Sequence, residues 1–455
     1  MNIKRLVLGT AAGALAVTGV SSAQAADLPV VVDPVDYVRI CDAYGAGYYF
    51  IPGTETCLRI AGRVRADYNI YFDDDADYSV PATVSNAFNT PYQTAGVPTA
   101  SGNNFQLNGA RGFSRVDDQG YRFRARGYIY MESRSATEFG LLRTYNEIQF
   151  TRDNDSGTGV NLDSSVIQFG GLIFGRTDSL YDYDDVGGNW QTFGRFASDT
   201  KINLIGYQAA FGNGFSAAIS LEDAATRQAG IQQYVAAAAG TTTTLFDRQT
   251  NEQIPDIVAN LRVDQGWGSA QIMGALHYVE ATGISFNTST AQRGDGHDDE
   301  IGFAVGGGFS VNVPFGASTS FGVQANYAHG AINYALANSS YLGYADGTVD
   351  VNGNLELVDV FSVEGVISGS FSSNVVGSLA VGYANIDHGD VQTDPGGFAG
   401  LESLDSQAWG VSGYIGYRPV SGLEFGVGAD FVYQDTDDFG DASALSTFFR
   451  AQRTF

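Results

Sequence analysis

One pattern governs what this chain can fold into: apolar residues alternate with small or polar ones, period two, repeatedly to its last residue. Leu423, Phe425, Val427, Ala429, Phe431 and Tyr433 alternate with Glu424, Gly426, Gly428, Asp430 and Val432. Phe321, Val323, Ala325 and Tyr327 alternate with Gly322, Gln324, Asn326 and Ala328, and Val411, Gly413, Ile415 and Tyr417 with Ser412, Tyr414, Gly416 and Arg418. Successive side chains of a strand point to opposite faces, so each run has one apolar face. Its length, roughly 9–13 residues, suits a tilted strand crossing a bilayer. A soluble sandwich would need large inward residues on both sheets to fill a core. Here the second face carries Arg, Asp, Glu, Gln, Ser, Asn and Gly, which suits a wet lumen.

The connections alternate too. Short turns fall at 135–137, 170–171, 211–214, 264–266, 312–316, 370–373 and 418–422. Between them lie longer polar segments at 73–120, 153–163, 178–200, 224–255, 281–298, 331–354, 389–405 and 436–443. Short turns on one rim and long loops on the other are the connectivity of an outer-membrane barrel. The alternating runs are 58–72, 121–134, 138–152, 164–170, 172–177, 201–210, 214–223, 256–263, 267–280, 299–311, 317–330, 355–369, 374–388, 406–418, 422–435 and 444–455. The expectation is an all-β protein: a 16-stranded antiparallel transmembrane β-barrel with short periplasmic turns and long surface loops. Sixteen is even, and large enough for a water-filled lumen.

The N-terminus fits export. Lys4 and Arg5 precede an apolar run from Leu6 to Val20, and Ala23, Gln24 and Ala25 have the form of a signal-peptidase site. The chain then divides into a signal peptide at 1–25, a segment at 26–57 closed by a disulfide, and the barrel at 58–455. Cys41 and Cys57 are the only cysteines, and an oxidising compartment favours pairing them. They and four dispersed histidines supply no metal-ligand set. Glycine is abundant (58) and proline scarce (10). The terminal Phe455 closes the last alternating run, the signature that barrel-assembly machinery reads.

A formal net charge of −26 excludes nucleic acid as a partner. Yet 14 of the 21 arginines after the signal lie between Arg39 and Arg195. The strand phase explains this. In GYRFRARGYIYMESR (120–134), Phe123, Ala125, Gly127, Ile129 and Met131 face lipid, leaving Arg122, Arg124, Arg126, Tyr128, Tyr130 and Glu132 to the lumen. The preceding strand puts Arg59, Arg63, Arg65 and Asp67 inward; the following one adds Arg143, Tyr145 and Glu147. Together they form one basic wall. The segment 178–200 carries Asp178, Asp182, Asp184, Asp185 and Asp199, with Tyr181, Tyr183 and Trp190. Acidic clusters at 73–77, 298–300 and 435–441 read as solvated loop charge. A barrel enzyme, or a structural or adhesive barrel with a closed lumen, is the alternative. The sequence contains no Gly-x-Ser-x-Gly, and His277, His297, His329 and His388 are far apart in it.

YVRICDAYGAGYYFIPGTETCLRIAGRVRADY (37–68) resembles the start of the alphaproteobacterial general porins of the rhizobial and Brucella type. So do TEFGLLRTY (137–145), VIQFGGLIFGRTDS (166–179) and the terminal FRAQRTF. The resemblance implies a homotrimer in outer-membrane lipid and lipopolysaccharide, without cofactor, passing small hydrophilic solutes and ions by diffusion. It also implies that the third surface loop (178–200) folds into the lumen as a constriction. The acids Asp178, Asp182, Asp184 and Asp185 would then face Arg63, Arg65, Arg122, Arg124, Arg126 and Arg143. The low-complexity fourth loop, AAAAGTTTTLF at 236–246, departs from the family.

Overall fold

The computed structural model describes residues 39–73, 120–154, 156–187, 193–235, 244–247, 254–284, 296–337, 344–349, 353–389, 405–437 and 440–455. The signal peptide, most of the first loop, Trp190 and residues 236–243 of the fourth loop lie outside them.

Sixteen antiparallel strands form a closed barrel. They are β1 (Cys57–Asp73), β2 (Tyr121–Thr137), β3 (Gly140–Asp153), β4 (Gly159–Phe169), β5 (Leu172–Asp178), β6 (Lys201–Gly212), β7 (Phe215–Glu222) and β8 (Asp256–Gln265). There follow β9 (Gly268–Ile284), β10 (Gly296–Val313), β11 (Ser318–His329), β12 (Asp359–Ser370), β13 (Val375–Asp387), β14 (Ser406–Val420), β15 (Leu423–Thr436) and β16 (Gly440–Thr454). Each pairs with its neighbours in sequence, and β16 pairs with β1 from Arg63↔Thr454 to Asp73↔Ala444, which closes the cylinder. Closure satisfies the backbone groups that an open edge would leave bare in lipid.

The inside–outside phase read from the sequence is the one observed. On β1, Ile60 and Val64 are 56% and 57% exposed, whereas Arg65, Asp67 and Asn69 are 6% or less. On β2, Phe123 and Ile129 are exposed and Tyr128 and Glu132 buried. The apolar stripes therefore form the outer, lipid-facing surface. In two short turns the backbone demands particular residues. Gly170 and Gly171 both have positive φ, as do Asn213 and Gly214; these are the residues that two-residue hairpin turns favour.

Several boundaries differ from the sequence reading: the run expected at 267–280 continues to Ile284, the one at 299–311 starts at Gly296, and the one at 355–369 starts only at Asp359. β4 starts at Gly159, so the loop expected at 153–163 shrinks to 154–158. Val160 and Leu162 point outward there, at 67% and 47% exposure, but their short polar run hides the alternation. The turn expected at 135–137 falls after Thr137, and the last long loop closes as a hairpin between Thr436 and Gly440. The largest difference lies beyond the barrel. Short strands Ile231–Val235, Thr244–Asp247, Gly347–Val349 and Leu355–Leu357 form a separate four-stranded sheet that joins the fourth and sixth loops. Parallel pairing of Gly347–Val349 with Ile231–Val235 links segments more than a hundred residues apart, which alternation cannot reveal.

Candidate functional site: the channel lumen

The basic wall forms from cross-strand register. Across β1 and β2, Arg65 sits opposite Arg126, Asp67 opposite Arg124 and Arg63 opposite Tyr128; across β2 and β3, Arg134 sits opposite Arg143. Stacked guanidiniums repel unless carboxylates are interleaved, and the wall supplies them. Asp67 lies in an ion pair with Arg65 (2.9 Å) and accepts a hydrogen bond from Arg450 Nε of β16 (2.7 Å). Asp153 takes Arg124 through two bonds of 2.6 Å each. Glu132 takes Arg143 (2.5 Å) and Arg134 (2.6 Å). Asp67, Asp153 and Glu132 are thus as much a part of the site as the arginines.

Arg59, 5.9 Å from the ring centre of Tyr48 near the disulfide-closed segment, and two arginines further along the wall differ. Arg63 lies 3.8 Å from the ring centre of Tyr128; Arg126 donates to Thr151 Oγ1 at 2.8 Å. Neither is in an ion pair among the described residues. They form a cationic rung on the inner face, with Tyr128 between them and stacked on Tyr130.

The described parts of the third loop (179–187 and 193–200) fold into the barrel, in agreement with the expectation drawn from the family resemblance. The loop is pinned along the inner wall from β7 to β15. At its start Ser179 Oγ and Leu180 N–H donate to Glu222 (2.6 and 2.9 Å). Tyr183 OH bonds Ser269 Oγ at 2.7 Å. Arg195 and the Phe196 N–H both reach Glu364 of β12 (3.1 and 2.9 Å), and Phe193 N–H donates to Asp430 of β15 (3.0 Å). The apolar side chains enter slots that inward glycines leave. A Cβ on Gly308 would lie 2.6 Å from Tyr183, one on Gly322 2.7 Å from Val186, and one on Gly382 2.2 Å from Phe196. This is what the glycines of the inward phase do: they make room for a loop inside the cylinder. The sequence pattern puts Gly322 on the inner face but does not show this role.

The acids of the loop meet partners other than the arginine wall. Asp178 pairs with Lys201 (2.5 Å). Asp185 binds Arg262 and Ser269. Asp182 does not line the channel: its side chain is 1% exposed and faces Arg227. The expected field between all four acids and the wall is corrected here, because Lys201, Arg227 and Arg262, which adjoin the loop, take the nearer places. Asp184 is exposed and in no ion pair among the described residues. Its surroundings displace hydration, and Asp178, Asp182 and Asp199 lie near; these raise its pKa to about 6.

The Cys41–Cys57 disulfide forms. The segment it closes turns back onto the inner face at the end of the barrel where the short turns lie. Strand Tyr49–Phe50 pairs with Cys57 and Leu58, buried Tyr48 hydrogen-bonds lumen-facing Glu132, and Arg134 lies 5.8 Å from the ring of Tyr44. At the same rim Arg453 donates to Ser421 O in the turn before β15, which reconciles an arginine with an outward phase.

The profile of the Porin subfamily matches residues 27–453. Porin Omp2b of Brucella suis is 32% identical over 318 residues, spanning 65% of this chain and 70% of that protein. Porin Omp2b of Brucella abortus strain 2308 is 32% identical over 302 residues, spanning 61% and 66%. Among solved structures, the outer membrane channel DcaP of Acinetobacter baumannii superposes with a TM-score of 0.62 at 16% identity, covering 89% of this chain and 99% of that one; this likeness is one of fold. A closed barrel, a polar lumen narrowed by an inward loop, and a family match along nearly the whole chain lead to one conclusion: the chain belongs to the porin subfamily and is an outer-membrane β-barrel channel.

Proposed function

We propose that this porin passes small hydrophilic solutes and ions through an eyelet bounded by the β1–β3 wall and the third loop. Selection there rests on the Arg63–Arg126 rung on one side and Asp184 on the other. The observation that carries this is charge pairing: Arg65, Arg124, Arg134 and Arg143 are neutralised locally, while Arg63 and Arg126 are in no ion pair among the described residues. An uncompensated cation pair opposed by a carboxylate makes a field across the pore. Such a field favours polar solutes that can align their dipoles and disfavours apolar ones; lining charge and radius set selectivity. Arginine suits this wall because it does not lose its proton.

The working unit we propose is a homotrimer assembled in lipid and lipopolysaccharide, with Phe455 as the residue that assembly machinery engages. The family supports this reading. The test is conductance in planar bilayers: steps grouped in threes are expected, and absence of conductance at every voltage would overturn the channel reading.

A further inference from the structure

Arg227 is the most enclosed cation of the described residues, and the wall and rung make no use of it. It follows the short 3₁₀ turn Ala224–Thr226 at the base of the fourth loop, and it is 1% exposed. Its Nη1 donates to Ser198 Oγ (2.8 Å), Thr200 Oγ1 (2.9 Å) and Asn333 O (3.0 Å), and its Nη2 to Asp182 Oδ1 (3.3 Å). Its guanidinium lies 4.1 Å from the ring centre of Tyr334. Asn333 returns a bond to the Arg227 carbonyl (2.8 Å).

These partners come from two loops, and Arg227, in the fourth, ties them to a third. Asp182 is near the start of the third loop, and Ser198 and Thr200 are at its end. Asn333 and Tyr334 belong to the sixth. Asp182 itself joins the two ends of the third loop, accepting from Ser198 Oγ and from Thr200 N–H (2.7 Å). A planar fork with several donors can satisfy such a set at once; a lysine ammonium, a point donor, does not reproduce it. The sixth-loop side is anchored in turn, since Tyr334 OH donates to Asp256 of β8 (2.6 Å).

We infer that Arg227 is a positioning residue that sets the channel's conductance: it clamps both ends of the third loop beneath the sixth loop and holds the constriction in one state. It touches no permeating solute. Its effect runs through Asp182, a buried carboxylate that Arg227 neutralises. Without the guanidinium that carboxylate is buried with no counter-ion, and the base of the loop must open to hydrate it. The far end stays tied to Glu364 and Asp430, so the loop swings about that anchor rather than leaving the lumen.

The inference rests on the channel reading above, and its test separates the two. Single-channel recordings compare the wild type, Arg227→Met, and Arg227→Met combined with Asp182→Asn, each checked for heat-modifiable mobility as a sign of an intact barrel. A silent wild type overturns the channel reading itself. With a conducting wild type, Arg227→Met is expected to lose the single stable open level and switch between two or more. The double variant, with no buried charge to hydrate, is expected to regain one level. Loss of a merely space-filling side chain would not be mended by Asp182→Asn. One steady level in Arg227→Met at wild-type conductance, or switching that persists in the double variant, overturns the inference. Should Arg227→Met not assemble, the double variant still decides: assembly with one level supports the clamp, and failure to assemble overturns it.

Discussion

Phe455 and Gly62 hold each other through both backbone groups: Gly62 N–H donates to Phe455 O at 2.9 Å, and Phe455 N–H to Gly62 O at 3.0 Å. The phenyl ring covers the glycine so closely that an added Cβ would lie 2.6 Å from it. The chain's last residue thus completes the seam between the first and last strands. Gly62→Val is expected to displace the ring and cost about 1–3 kcal/mol, as overpacking does. Urea midpoints of the refolded barrel in detergent check this. Adding Phe455→Ala to Gly62→Val should return part of the loss, and additive effects would mean that the two residues do not interact.

The glycine slot on β13 makes a second case. With Phe196 2.2 Å from the position of a Gly382 Cβ, Gly382→Val forces the loop's far end off the wall. The barrel is expected to keep its fold, because its ladder lies outside the slot, while single-channel conductance changes. Conductance indistinguishable from the wild type would mean that Phe196 does not anchor the constriction.

Asp184 gives the channel a pH dependence whose sign can be worked out. Its pKa stands at about 6, above the ordinary 3.8. It is therefore charged at neutral pH and loses that charge as pH falls through about 6. The reversal potential in a salt gradient is expected to move toward anions between pH 7 and 5. Asp184→Asn should show the acid-side value at neutral pH and flatten this part of the profile. An unchanged profile in Asp184→Asn would assign the titration to another group.

The disulfide should protect its own segment rather than the barrel. Cys41 and Cys57 are 16 residues apart, and closing a loop of that size stabilises by roughly 3 kcal/mol in the chain-entropy account. In the double Cys41→Ser, Cys57→Ser variant, chymotrypsin is expected to cut at Tyr44 or Tyr48 while the barrel keeps its heat-modifiable mobility. Equal resistance to cleavage would mean that the contacts of Tyr48 with Glu132 and Arg134 suffice.

The barrel was legible because its physics is local. Lipid on one side and water on the other impose period two, so the phase of Ile60, Val64, Arg63 and Arg65 follows from sequence alone. Turn positions were legible where Gly170 and Gly171, or Asn213 and Gly214, adopt positive φ. The arrangement inside the lumen was not, because it depends on contacts between distant segments. Glu364 receives Arg195 across 169 positions of sequence, and Asp182 meets Arg227 rather than the arginines of β1 to β3. Nor does alternation show which wall arginines have a carboxylate partner. That requires register: Arg124 falls opposite Asp153, and Arg126 opposite Thr151.

The central claim is that the rung of Arg63 and Arg126, in no ion pair among the described residues, sets the field of the eyelet. The most direct measurement is the reversal potential of Arg63→Glu with Arg126→Glu in planar bilayers under a salt gradient. With β1 to β3 otherwise intact, a clear shift toward cations is predicted, larger than that of Arg124→Glu, whose wild-type arginine is already neutralised by Asp153. An unchanged reversal potential in the double variant would contradict the account.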